Sequence, residues 1–176
     1  MHMRMTPVVI LAALVTLAWP ALAGQPEARN FVAHLSGDEE VPARDTLAQG
    51  QAIFHLSEDG AELDYKLIVA NIENVVAAHI HLGPVGVNAP VVAFLFGPAA
   101  PEGGRVDGVL AEGTITAADL VGPLTGMAFS VLVEAMRTGG TYVNVHTDDG
   151  VTPINTGPGD FPGGEVRGQI DSAGPQ

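Results

Sequence analysis

Two histidines two positions apart, His79 and His81, stand inside an apolar run from Val75 to Leu82 that ends at Gly83-Pro84. The run reads as a strand closed by a turn. Alternate side chains of a strand share a face, so both imidazoles point the same way, with Cα atoms about 6.6 Å apart. From such positions ring nitrogens can converge on one ion at about 2 Å. Ile80, between them, points the other way and has the character of a core residue. A third histidine has a similar setting. In Tyr142-Val143-Asn144-Val145-His146-Thr147 the valines take one face, while Tyr142, Asn144 and His146 take the other. If the two strands are neighbours, three imidazoles meet.

Three imidazoles with no thiolate select Cu(II), with Zn(II) as the other candidate. Copper wins by the general affinity order where both metals are present. A three-histidine set leaves an open position for water, substrate or a partner's ligand. The ring nitrogen turned away from the ion should donate to a carbonyl or carboxylate, and Asn144, Asp148 and Glu165 are the candidates to support the site in this way. Each histidine could instead be a hydrogen-bonded sheet residue with no ion. His34 and His55, on the first two strands, would be cross-strand neighbours if those strands form a hairpin. A solvated pair is the expectation there. Asp148, Asp149 and Asp160 offer the oxygens Ca²⁺ takes but lack the EF-hand spacing, so a solvated loop is the expectation. No Gly-X-Ser-X-Gly elbow, phosphate loop or dinucleotide fingerprint occurs.

The elements that must position these residues are short strands. They are read at Phe31–Leu35, Gly50–Leu56, Glu62–Ala70, Val75–Leu82, Val91–Phe96, Val106–Ile115, Tyr142–His146 and Glu165–Ile170, with Ser172 onward as a tail. Turn signals separate them every 8–12 residues, which is the pattern of an all-β sandwich or barrel. Thr116-Ala117-Ala118-Asp119 has capping-box spacing and predicts a short helical turn. Met127 to Arg137 reads as the one helix, with Val131, Leu132, Ala135 and Met136 on its buried face and Gly139-Gly140 ending it. Met127 and Met136 are expected in the core, which argues against a methionine-rich Cu(I) carrier. The stretch Thr147–Gly164 is long for a loop in a compact domain, a feature that often marks function or mobility.

Residues 1–23 read as a secretory signal peptide. Arg4 precedes an apolar core from Pro7 to Trp19, and Ala21-Leu22-Ala23 is a small-residue cleavage site. The apolar run is too short, and too soon broken by Pro20, for a retained anchor. No cysteine exists, so disulfides, thiolate sites and a lipoprotein anchor are excluded. The positive mean hydropathy of +0.27 partly reflects this leader. The remaining Gly24–Gln176 fits one domain with a sizeable core. It keeps all 20 acids and loses Arg4 from the seven bases, giving a net charge of −14. Such a field disfavours nucleic acid and anionic membranes and favours cations.

The motifs taken together resemble a known family. Leu35-Ser36-Gly37 with Glu40-Val41-Pro42, Ala78-His79-Ile80-His81-Leu82-Gly83, Tyr142–Thr147, and Pro162-Gly163-Gly164-Glu165-Val166-Arg167-Gly168-Gln169-Ile170 are similar to the CHRD domain. That domain is named for chordin and also occurs in bacterial exported proteins. The resemblance spans about Asn30 to Asp171. A second resemblance is to the copper half of Cu,Zn superoxide dismutase, where a His-X-His strand and a later Val-X-His strand carry copper ligands in a Greek-key sandwich. Carried over, those ligands are His79, His81 and His146. The chain departs from that family in lacking a cysteine pair, a histidine-rich loop and a matching catalytic-loop arginine, Arg167 being the nearest candidate.

The sequence therefore points to an all-β, Greek-key sandwich of immunoglobulin-like or dismutase-like type with one or two short helices, periplasmic or secreted. The first reading of function is a protein that holds copper through His79, His81 and His146 for sequestration or handling. The second is a copper-only, dismutase-like redox enzyme. The third is a metal-free structural module whose role is binding extracellular partners. Whether the site turns over a substrate stays open, as does a protein partner or homodimer.

Overall fold

The computed structural model describes residues 27–174. The signal peptide read over residues 1–23 lies outside the described residues. Among the described residues nine strands form the fold: β1 (Asn30–Ser36), β2 (Gln49–Leu56), β3 (Leu63–Glu73), β4 (Val75–Leu82), β5 (Val91–Phe96), β6 (Arg105–Ile115), β7 (Thr141–Thr147), β8 (Val166–Gln169) and β9 (Asp171–Ala173). One α-helix, α1 (Phe129–Arg137), precedes β7. The fold is all-β with one short helix, as the sequence pattern predicts. All strands pair antiparallel in the order β5-β4-β7-β8-β1-β2-β3-β6, with β9 beside β1.

The two ends of this path nearly meet. The Tyr65 hydroxyl of β3 donates to Leu95 O of β5 at 2.7 Å, and Val121 N–H, just past β6, donates to Val92 O at 2.9 Å. The sheet is thus barrel-like, with edges β5 and β6 clipped rather than left open. Inward residues of every strand but β9 fill it. Phe31, Ala33, Phe54, Leu67, Ile72, Ile80, Val143, Val145 and Val166 are all buried, in the period-2 alternation that the sequence shows.

A single residue, Asn74, separates β3 from β4. It takes a positive φ of 54°, which asparagine tolerates better than most residues. Its N–H and Oδ1 are both engaged by Gly104, through Gly104 O at 2.8 Å and Gly104 N–H at 3.1 Å. This corner throws the chain from one end of the sheet to the other. β4 thereby pairs with β7, which comes much later in the chain.

Four local expectations change. The buried face of α1 is Phe129, Leu132, Val133 and Met136, an i, i+3, i+4, i+7 stripe. Val131 is exposed, so the expected face was turned by about one residue. Met127 precedes the helix and is exposed, while Met136 is buried as expected. The tail includes β9, because Phe31 and its neighbours leave one side of β1 free for Asp171–Ala173 to pair. Thr116–Asp119 does form a capping box, on a 3-10 turn. Finally, β1 and β2 do form a hairpin, but His34 faces Gln51 and His55 faces Asn30. Four register positions separate the two histidines, so they are not cross-strand neighbours. His55 instead bonds Asn30 Oδ1 at 2.6 Å.

Candidate metal centre

The register of β4 on β7 brings the three histidines together. Ala77 faces His146, His79 faces Asn144 and His81 faces Tyr142. His146 is therefore diagonal to His79 on the face opposite the core. The ring centres are 4.9 Å apart for His79 and His146, 5.7 Å for His79 and His81, and 6.0 Å for His81 and His146. One nitrogen from each ring lies within 4.8 Å of the others. On the other side of β4, two bulges in β5 flank the histidines, since Leu95 and Val92 are skipped in the pairing. Bulges of this kind re-aim neighbouring side chains. Between them Phe94 is turned outward and meets the His79 ring edge-on at 4.7 Å.

Two carbonyls set which nitrogens are free. His81 Nδ1 lies 2.8 Å from Ala89 O, and His146 Nδ1 lies 3.0 Å from Pro162 O. A carbonyl only accepts, so each Nδ1 carries the hydrogen, and in a neutral ring Nε2 is then a bare lone pair. His146 Nε2 faces His79 Nδ1 at 3.1 Å. His81 Nε2 is buried and has no partner. A buried polar atom without a partner is unusual and asks for a reason. All three rings are held neutral. Burial pushes His79 down to about 4, helped by the neighbouring His146 and His81. Burial also lowers His81 and His146, against the opposing effect of their carbonyl partners.

Three neutral imidazole nitrogens grouped in this way are donors of the type that Cu(II) and Zn(II) take. Nitrogens bound to one ion at about 2.0–2.1 Å stand about 3.0–3.4 Å apart, and the His79–His146 pair is at 3.1 Å. The two Nε2 lone pairs are preset by the carbonyls. His79 needs only to move its hydrogen from Nδ1 to Nε2, on a ring that is half-buried.

The loops over the site are themselves pinned. Ala89 N–H donates to the Tyr142 hydroxyl at 3.0 Å, so Ala89 is held at both its amide and its carbonyl. Tyr142 stacks on His81 at 4.7 Å with 8° between the planes. The Arg167 guanidinium lies 3.4 Å from the centre of the same tyrosine ring. Arg167 is buried, and its N–H groups donate to Pro84 O and Asn88 Oδ1. Glu165 accepts from Thr46, Thr147 and Gly159 N–H at 2.6, 2.7 and 2.9 Å. It thereby ties the loop before β2 and the loop before β8 to β7. Gly164, at φ +122°, has no room for a side chain, since a Cβ would stand 2.5 Å from both Asn144 Oδ1 and Glu40 Oε1.

None of the three residues expected to accept from the imidazoles hydrogen-bonds to a ring. Asn144 lies beside them, but its amide reaches toward Glu40 Oε2 at 3.5 Å. Glu165 holds the loop that carries Pro162. Asp148 accepts from Gly150 N–H. The direct partners are backbone carbonyls, which no residue type announces. Glu40 was also unread as a site neighbour. It is buried with Oε1 unpartnered, and burial raises its carboxyl to about 7 in spite of Val41 N–H, Arg167 and Arg44. Its one sequence signal is its place in Glu40-Val41-Pro42.

No helix among the described residues is long and apolar enough to cross a membrane. No curated protein matches the chain. The CHRD domain family matches residues 31–170, from the second residue of β1 to the residue before β9. All four motifs lie inside this span, and three of them build the face just described: His-Ile-His, the Val-X-His strand, and the glycine-glutamate-arginine run whose loop and guanidinium brace the rings. The chain belongs to the CHRD domain family.

Proposed function

We propose that this is an exported protein that holds one copper ion through His79 Nδ1, His81 Nε2 and His146 Nε2, for sequestration or handling. The observation that carries the reading is the His81 ring. Its Nδ1 is committed to Ala89 O, while its Nε2 is buried, neutral and without a partner, beside two other imidazole nitrogens. A sheet histidine present only for packing would have no reason to leave that atom bare. The net charge of −14 would favour cation capture over nucleic-acid or anionic-surface binding. When bound, the ion would supply a Lewis acid with a coordination position that the three histidines do not fill. The chain's own part is to fix two tautomers by carbonyls and to keep the rings uncharged.

The dismutase-like reading has less support. Arg167, the nearest candidate to guide an anion, is buried over Tyr142 and bonded to Pro84 and Asn88. It offers no free guanidinium at the histidines.

The test is calorimetric titration of the metal-stripped chain from Gly24 with Cu(II) and Zn(II), beside a His79→Ala/His81→Ala variant. The proposal expects one-to-one copper binding, tighter than zinc, that the variant loses. Equal binding by the variant, or none by either, would leave the interaction-module reading in its place.

A further inference from the structure

Outside the histidine face, the loop between β7 and β8 gathers three carboxylates. One oxygen each of Asp148, Asp149 and Asp160 lies within 4.8 Å of the others. Each carboxylate uses one oxygen to hold the loop's own backbone. Asp148 Oδ1 accepts from Gly150 N–H at 2.7 Å, and Asp149 Oδ1 from Val151 N–H at 2.9 Å. Asp160 Oδ2 accepts from Thr156 N–H at 2.9 Å and from its hydroxyl at 2.8 Å. The second oxygen of each is left over. A wholly solvated loop would expose those oxygens to water. Asp160 is not solvated: it is only 2% exposed, and its Oδ1 is buried with no partner at all. Among the described residues no ion pair involves any of the three.

A buried carboxylate oxygen without a donor, on a residue grouped with two further carboxylates, is costly unless a cation joins them. The donors are all hard oxygens, which selects Ca²⁺, Mg²⁺ or Mn²⁺ over copper or zinc. Ca²⁺ takes oxygens at 2.3–2.6 Å, so one ion spans ligands up to about 4.8 Å apart. Mg²⁺ demands a tighter octahedron and keeps most of its waters. The loop is anchored at both ends of the cluster, by Asp148 N–H to Asn74 O at 3.0 Å and, beside Asp160, by Phe161 N–H to Thr147 Oγ1 of β7 at 3.0 Å. The carboxylates are thus held in place before any ion arrives.

We propose that the β7–β8 loop binds one Ca²⁺ ion through Asp148, Asp149 and Asp160. Three carboxylates, with water completing the shell, correspond to the weaker extracellular class, with Kd of about 10⁻⁴ to 10⁻³ M. The proposal does not rest on the histidine centre.

It is tested by calorimetric titration of the chain from Gly24, freed of metal with a chelator, using CaCl₂ and then MgCl₂. Asp149→Asn, Asp160→Asn and His79→Ala/His81→Ala variants are run alongside. The expected result is saturable one-to-one Ca²⁺ binding, at least tenfold weaker for Mg²⁺. Either aspartate variant should weaken it tenfold or more, and the histidine variant should leave it unchanged. Asp149 is half-buried and bonds only Val151, so Asp149→Asn decides the matter if Asp160→Asn fails to fold. No saturation by 10 mM Ca²⁺, binding that Asp149→Asn leaves intact, or loss in the histidine variant would each overturn the proposal.

Discussion

Replacing Glu40 by glutamine should stabilise the metal-free protein at pH 8 and do almost nothing at pH 5. In the folded chain burial holds the Glu40 carboxyl at about 7, against 4.5 when unfolded. Between those values the folded state keeps a proton that the unfolded state has released. The unfolded state therefore binds fewer protons, and stability falls as pH rises through this window. At about 1.4 kcal/mol per pH unit the loss has a ceiling of about 3 kcal/mol. The effective dielectric around buried groups is higher than their burial alone implies. On that ground we take about half the ceiling, on the order of 1.5 kcal/mol. Glutamine keeps an oxygen for Asn144 Nδ2 and carries no charge to bury.

The histidines tilt the same curve the other way, so the single variant's profile would not isolate Glu40. The difference between wild type and Glu40→Gln does. Urea unfolding of both proteins at pH 5, 6, 7 and 8 gives it directly. The expected difference opens from near zero at pH 5 to about 1.5 kcal/mol in favour of the variant at pH 8. A difference that stays flat with pH, or a variant less stable at pH 8, would refute the reasoning, because the buried carboxyl would then not be the titrating group.

The metal-free histidines should give the opposite slope. His79 is held at about 4, so below about 6.5 the unfolded chain binds more protons and stability should fall as pH drops from 6.5 towards 4. An imidazole NMR titration checks this, and a His79 ring that charges near 6.5 would contradict it. Gly164→Ala should cost about 2–3 kcal/mol in urea unfolding, since a Cβ meets Asn144 and Glu40 at a φ of +122°. A cost under about 0.5 kcal/mol would mean that the loop simply shifts. Arg167→Lys should lose about 2 kcal/mol. An ammonium cannot both stack flat on Tyr142 and reach Pro84 O and Asn88, and wild-type stability in this variant would count against the stack.

The strands were legible because each buries one face, and burial on one face writes alternation into the sequence. Ile80 between two histidines and Val143 and Val145 between polar residues are clear cases, all fully buried. The helix was legible as a helix, but its face was not. Val131, Leu132 and Val133 are consecutive apolar residues, and only the docking against the sheet decides which two turn inward. β9 was invisible because Asp171-Ser172-Ala173 pairs through backbone alone along one side of β1 and buries almost nothing. The pairing of His34 with Gln51 was equally out of reach, since hairpin register depends on the long connection from Gly37 to Ala48.

The site shows the same division at finer scale. Which residues could bind an ion is a matter of residue type and strand phase, so His79, His81 and His146 are readable. Which nitrogen each offers is not. His81 and His146 present Nε2 because Nδ1 keeps the hydrogen and donates it to Ala89 O and Pro162 O. Any residue at those two positions would supply the same carbonyl. What must be specified is the path of the loops, and that is written elsewhere: in Tyr142, whose hydroxyl holds Ala89 N–H, in Glu165, which binds Gly159 N–H and the two threonines, and in Gly164, which alone fits beside Asn144. The glycine-glutamate-arginine run is thus a set of instructions for aiming carbonyls at imidazoles. It follows that Glu165→Ala should disturb the tautomer of His146 while touching no histidine. By ¹⁵N NMR of the metal-free protein, wild-type His146 should be a pure Nδ1–H ring and the variant a mixture. An unchanged tautomer in a folded Glu165→Ala protein would show that Pro162 is placed by something other than this run.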